Sequence, residues 1–204
     1  MISCILLSAG SSSRFGSPKA LACLNQTTTV IEHIQKIILA SQMNEIIIVL
    51  GDRAEQIKPF IFQSKGIKVV CNEDYRRGQT SSFKAGLRRA DTGSLGVMLV
   101  PVDYPLIQNQ TFRILAEKFL ETTPSVILPS YNGKNGHPPI FHARLREELL
   151  LLDDSTPIHT FIRQHTGDTV ILPVNDIGVV TSFNTPQEFE QVKACWNQLF
   201  HSRP

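Results

Sequence analysis

Three short segments carry residue types able to handle a polyphosphate. The first is Leu7-Ser8-Ala9-Gly10-Ser11-Ser12-Ser13-Arg14-Phe15-Gly16-Ser17-Pro18-Lys19, a run of small residues with two cations. Without bulky side chains the backbone can approach a ligand closely. Its N–H groups can then converge on phosphate oxygens while Arg14 and Lys19 supply positive charge. The spacing is not that of a Walker A loop, because five residues separate Gly10 from Gly16 and Lys19 does not directly follow the second glycine. The dinucleotide pattern G-x-G-x-x-G is absent as well. On composition alone the stretch also reads as a flexible turn.

The second segment, Val100-Pro101-Val102-Asp103-Tyr104-Pro105, ends an apolar run in a carboxylate. Such a residue can hold Mg²⁺ beside incoming phosphates, since Mg²⁺ is usually bound by one or two carboxylates plus substrate oxygens. An Asp before Tyr-Pro can equally start a turn. The third, Gly78-Gln79-Thr80-Ser81-Ser82, opens a helical pattern and offers hydroxyls to an anion or a base edge, or else simply caps that helix.

Other residues point less clearly. His137 and His142 flank Pro138 and Pro139 and cannot share a helical face as a metal pair would. His137, in its glycine-flanked loop, is a candidate for substrate contact or for a loop role. Asp153-Asp154 reads as a solvated turn before a Thr156 cap, and Arg76-Arg77 as a solvated pair or a steering charge. No G-x-S-x-G elbow occurs and no cysteine has an evident histidine partner, which removes hydrolase readings.

These segments need a scaffold that brings strand ends together. Apolar runs at residues 2–8, 45–50, 67–71, 96–102 and 125–129 predict buried strands. Helical patterns are predicted from Val30, over 53–63, 80–89 and 109–121, and after Thr156-Pro157. Another is predicted after Thr185-Pro186-Gln187-Glu188, which has the form of a capping box. Strand and helix in alternation predict a three-layer α/β fold with a mostly parallel sheet, which binds ligands at the carboxyl ends of its strands. Residues 130–139 form a polar excursion returning at Ile140-Phe141. No boundary divides the 204 residues, so one domain over 1–204 is expected.

Twenty Lys and Arg against 18 Asp and Glu leave a net charge of +2, with 42% hydrophobic residues. This is globular composition without the concentrated basic face that nucleic acid requires. The expected partner is a small molecule. No apolar stretch reaches the roughly 18 residues of a membrane span. Cys4, Cys23, Cys71 and Cys195 show no metal or C-x-x-C spacing, with Cys4 and Cys71 in strand-like runs where a thiol acts as a small hydrophobe. The start Met1–Leu7 carries no basic leader. A cytoplasmic setting is expected.

Taken in order, the segments resemble the MobA-like nucleotidyltransferases, and within them the molybdenum cofactor cytidylyltransferase branch. The branch pattern L-A-A-G-x-S-x-R-M-G-x-x-K stands here as LSAGSSSRFGSPK, departing at Ser8 and Phe15. N-x-x-Y-x-x-G-x-x-x-S-x-x-x-G matches Asn72, Tyr75, Gly78, Ser82 and Gly86, D-x-P matches Asp103 and Pro105, and G-x-P-x-x-F matches Gly136, Pro138 and Phe141. The closing D-I-D-T-P-x-D appears as Ser182-Phe183-Asn184-Thr185-Pro186-Gln187-Glu188.

The resemblance implies a dinucleotide-binding-like nucleotidyltransferase (GT-A-like) fold. Residues Leu7, Ser8, Ala9, Gly10, Ser11 and Ser12 would wrap the nucleotide with Arg14 and Lys19 on the phosphates. Asn72, Gly78 and Ser82 would place base and ribose, and Asp103 would bind Mg²⁺ with Asn184 as a further metal contact. Gly136, His137 and Pro138 would face a molybdopterin-type acceptor. It further implies CTP as donor, a molybdenum apoenzyme as recipient of the product, and no nucleic acid or membrane partner. Two departures stand out: Asn184 replaces an Asp, and the branch's G-D-x-G is not evident around Asp153-Asp154-Ser155-Thr156. Guanylyl transfer, sugar-phosphate nucleotidyl transfer and a nucleotide-binding regulatory module without turnover remain alternatives.

Overall fold

The computed structural model describes residues 1–41, 43 and 45–201. Among these residues eight strands form one sheet: β1 (Ile2–Ser8), β2 (Glu45–Leu50), β3 (Ile67–Cys71), β4 (Gly96–Pro101), β5 (Val126–Tyr131), β6 (Lys134–Asn135), β7 (Ile140–His142) and β8 (Thr169–Pro173). Their spatial order is β3-β2-β1-β4-β7-β5-β6, with β8 beside β5. Strands β1 to β4 pair in parallel, as do β5 and β8. Only β7, set between β4 and β5, and the two-residue β6 run against their neighbours. The chain moves outward from β1 through β2 to β3 and then returns to place β4 on the other side of β1. That reversal opens a crevice at the carboxyl ends of β1 and β4, where open α/β sheets take their ligands.

Among the described residues seven α-helices cover the sheet: α1 (Val30–Ala40), α2 (Ala54–Ile57), α3 (Gln79–Arg89), α4 (Asn109–Thr122), α5 (Arg146–Leu151), α6 (Ile158–Gln164) and α7 (Pro186–His201). The period of two in β1 sends alternate side chains to the two faces. Cys4 and Leu6 join a core with Ile31, Ile34, Phe112 and Phe119, and Ile5 and Leu7 join one with Phe83, Leu87, Phe141 and Phe161. Each fully buried side chain of this size contributes about 1.5–3 kcal/mol by leaving water. At Gly86 in α3 a Cβ would approach Ile5 Cγ2 to 2.5 Å, so glycine lets that helix lie close on β1.

The capping box expected before α7 forms, and a second one starts α1. Thr29 and Glu32 exchange hydrogen bonds at the start of α1, and Thr185 and Glu188 do the same before α7. Three local expectations are corrected. The helix expected over 53–63 shrinks to α2 and then tightens into a 3₁₀ turn at Lys58–Phe60, because Pro59 has no N–H and its ring obstructs an α-helical continuation. Cys71 is exposed, since β3 is an outermost strand, whereas Cys4 is fully buried and burial pushes its thiol pKa up. Thr156 does not cap α6, whose N-cap is Pro157. Helix α5 and strand β8 complete the fold without having been anticipated. Among the described residues no helix is long and apolar enough to cross a membrane.

Candidate active site

The crevice above β1 and β4 is a cavity of about 470 Å³. Leu7, Ser8, Ala9, Gly10, Ser11, Ser12, Arg14 and Lys19 line one wall, Gly78 and Ser82 another, and Asp103 and Asn184 the floor between. The small-residue loop leaves β1 and is held in shape from within. Ser12, at φ 51°, accepts the amides of Phe15 and Gly16 on its carbonyl, and its hydroxyl accepts the amide of Lys19 at 3.2 Å. Gly16 takes the positive φ of 84° that closes the turn. The amides of Gly10, Ser11 and Ser13 have no acceptor within the described residues and remain available to an anion. Phe15 anchors the loop, meeting the rings of Phe183 and Phe189 edge-on at 5.3 and 5.6 Å.

Lys19 is the centre of the site. Its Nζ donates to Asp103 Oδ2 at 3.0 Å and to Asn184 Oδ1 at 2.9 Å, and it lies 5.5 Å from the centre of the Phe183 ring. Arg14 Nη2 donates to the same Asn184 oxygen at 3.1 Å. Asp103 is positioned by β4, with Val102 N–H donating to Leu7 O and Phe183 N–H donating to Asp103 O. Asn184 is held by its neighbour in the capping box: Glu188 accepts the Asn184 amide at 2.5 Å, and that bond, the largest influence, lowers the Glu188 pKa.

Two oxygens, one anionic and one an amide carbonyl, therefore converge on one cation within 3.0 Å. This is a hard oxygen set, and its chemistry fits Mg²⁺ or Mn²⁺ provided that substrate phosphates complete the shell. Among the described residues no cluster of three His, Cys, Asp or Glu could hold a metal without such help.

Asn72 stands behind the wall and does not line the cavity. Its Nδ2 donates to Ser81 and Ser82 hydroxyls at 3.0 and 3.1 Å, which fixes the first turn of α3. Tyr75, a residue of the matched motif, and Arg76, read as one of a solvated pair or as a steering charge, both line the cavity. Tyr75 donates to Asp52 Oδ1 at 3.3 Å and carries Arg76 over its ring at 5.7 Å. Asp154 is not a solvated turn residue. It is mostly buried and bridges Lys84 and Arg77.

Gly136, His137 and Pro138 lie outside the cavity, past Tyr104, whose ring centre is 4.6 Å from that of His137. Because β7 runs against β4, the residues entering β7 arrive at the edge where β4 ends. Val179 O crowds the position a Gly136 Cβ would fill, so the glycine permits this close crossing. His137 Nδ1 is buried and takes no hydrogen bond among the described residues.

Burial pushes the His137 pKa down from 6.5 to about 4, against the opposing charge of Asp103. The unfolded chain thus takes up a proton that the native state refuses. The stabilisation is complete above about pH 6.5 and is lost as pH falls toward 4. Melting temperatures between pH 7 and pH 4 should fall less steeply in His137→Gln than in the wild type. Equal slopes would show that His137 titrates freely. His142, also lowered by burial, supplies part of the slope in both proteins.

Residues 4–170 match the MobA-like NTP transferase domain. The chain is 26% identical over 200 residues to the molybdenum cofactor cytidylyltransferase of Escherichia coli K12, covering 97% of this chain and 98% of that one. It is 31% identical over 155 residues to a Bacillus cereus G9842 protein named "Probable molybdenum cofactor guanylyltransferase", covering 72% of each. Among solved structures, Rv0371c from Mycobacterium tuberculosis H37Rv superposes with a TM-score of 0.84 at 23% identity, covering 95% of this chain and 97% of that one. The same protein in complex with manganese gives 0.79 at 20% identity, covering 95% and 98%.

Proposed function

The chain belongs to the MobA-like NTP transferase family, and on that premise we propose that residues 1–204 act as one nucleotidyltransferase, moving CMP from CTP to the phosphate of a molybdopterin-type acceptor with release of pyrophosphate. The observation that carries this reading is the convergence of Lys19, Asp103 and Asn184 below a small-residue loop with free amides. CTP is favoured over GTP by the relative that aligns over nearly the whole chain, whereas the guanylyltransferase relative aligns over 72%. The slightly higher identity of that shorter match makes guanylyl transfer the second reading.

In the proposed reaction an acceptor phosphate oxygen bonds to the α-phosphorus while the bond from that phosphorus to the β-phosphate oxygen breaks, and the electron pair leaves with pyrophosphate. A phosphate monoester has a second pKa of about 6 and is already largely ionised at neutral pH, so no general base is needed. The chain's task is positioning and charge neutralisation. Lys19 and Arg14 hold the departing phosphates with the amides of Gly10, Ser11 and Ser13. A divalent cation held by Asp103 and Asn184 would neutralise phosphate charge and raise the electrophilicity of the α-phosphorus. Gly136–Pro138 reach the same edge from the opposite side of Tyr104, where the acceptor would enter.

The test is a panel of CTP, GTP, ATP and UTP, each with and without Mg²⁺, read as thermal stabilisation and then as pyrophosphate release with a molybdopterin acceptor. A ligand at a hundredfold excess over its dissociation constant stabilises by about 2.7 kcal/mol. Metal-dependent stabilisation by CTP above the others, followed by turnover, is expected. Preference for GTP would replace the donor, and binding without pyrophosphate release would leave a nucleotide-binding module.

A further inference from the structure

The loop between α5 and α6 is fastened by four hydrogen bonds to the first two turns of α3 and to Arg77 just before it. Asp154 Oδ1 accepts from Lys84 Nζ at 2.7 Å and Oδ2 from Arg77 Nη1 at 3.0 Å, and Lys84 also donates to Leu152 O at 2.6 Å. The side chains of Lys84 and Asp154 are only 10% and 15% exposed. Thr80 Oγ1 donates to Thr156 O. A Cβ on Gly78, whose φ is 125°, would come within 3.1 Å of Asp154 O, so the backbone of this loop lies directly on the glycine. The other side of the same helix turn is held by Asn72 through Ser81 and Ser82. Gly78, Gln79 and Ser82, the part of the cavity wall formed by the start of α3, are thus gripped from two sides.

We propose that Asp154 is a positioning residue for the base end of the nucleotide cavity, sharing its carboxylate between Lys84 and Arg77 so that residues 152–156 fix Gly78 and Ser82. This inference rests on the reading of the cavity as a nucleotide site. The arrangement suits a positioning role because a buried ion pair is directional: it gives one geometry for the wall without touching the ligand. Lys84 cannot relax away from Asp154 without leaving an ammonium unpaired in a nearly closed site. A small displacement of such a wall is felt by whatever binds against it, whereas the contacts at the Lys19 end lie on other elements.

Two ligands separate the ends of the cavity. Pyrophosphate with Mg²⁺ probes the Lys19 end alone, and CTP and GTP with Mg²⁺ probe both ends. In Asp154→Asn, measured by titration calorimetry well below its melting temperature, nucleotide affinity is expected to fall by about tenfold or more, with the ratio between CTP and GTP moving toward unity. Pyrophosphate affinity should stay within about twofold, since its contacts are additive with those of a distant wall. Thr80→Val, which removes the contact to Thr156 without creating an unpaired charge, should change the same quantities in the same direction by less. Unchanged nucleotide affinity in both variants would overturn the proposal. Parallel loss of pyrophosphate and nucleotide would also overturn it, as the signature of a merely structural residue. Wild-type protein that binds pyrophosphate but no nucleotide would overturn the nucleotide reading itself, and the proposal with it.

Discussion

Asp103→Asn is expected to lower turnover by about 10²–10³-fold, the loss typical when one preorganised charge at a developing transition state is removed. The substitution is nearly isosteric and leaves the strand end intact. Val102 N–H still donates to Leu7 O, and the Asp103 carbonyl still accepts from Phe183. What disappears is the carboxylate oxygen 3.0 Å from Lys19 Nζ. The pair is partly solvated, with side chains 13% and 24% exposed, so its contribution to stability is at most about 1 kcal/mol. For a chain of this size that shifts the melting temperature by no more than about 2–4 °C. Pyrophosphate release and circular dichroism melts on the same preparations measure both quantities. Turnover within tenfold of wild type would remove Asp103 from the chemistry, and a collapse of the melt would make it a folding residue.

Lys19→Met should produce two changes of opposite sign. Methionine keeps the length of the chain and its packing on Phe183 but has no ammonium to reach phosphates. Hydrogen bonds to charged groups contribute about 1.5–3 kcal/mol, so triphosphate affinity should fall by about 10–150-fold. The same ammonium lies between Asp103 Oδ2 and Asn184 Oδ1 in the structure. Its removal frees the Asp103 oxygen and leaves the Asn184 oxygen to Arg14 alone, and Mn²⁺ affinity without nucleotide, followed by electron paramagnetic resonance, is expected to rise. A lysine that served only to organise the metal site would lower both affinities together. The opposed changes therefore separate a competitor for the oxygens from a supporting residue.

Much of this arrangement could be read from the sequence because strand ends and small-residue runs are local signals. The five parallel strands announced themselves as apolar runs, and the glycine, serine and aspartate that follow them occupy the crevice edge. The capping box at Thr185 was legible for the same reason. What escaped depends on contacts across the chain. Strand β8 alternates half-buried and exposed residues and lies at the margin of the sheet, so its five residues carry little periodic contrast. Asp154 looked solvated because nothing near it in sequence reveals Lys84, 70 residues earlier. Cys71 looked buried because an apolar run does not say whether its strand will be central or outermost. Asn72 is a motif residue whose side chain is spent on Ser81 and Ser82, a distinction that spacing cannot make.

The reversed direction of β7 also governs how chains of this architecture can diverge. The residues proposed to hold the donor sit on loops that leave β1 and β4 and are tied to each other by direct hydrogen bonds, so lengthening those loops would disturb the proposed grip on the phosphates. The side where we propose that the acceptor enters is fed instead by the hairpin at residues 131–135, whose tip at 132–135 is exposed and turns through the positive φ of Asn132 and Gly133. Extra residues inserted at that tip would project beyond the sheet without changing any strand register, at a closure cost that grows only slowly with length. One unchanged nucleotide grip could in this way be fitted to acceptors of different size by editing a single surface turn.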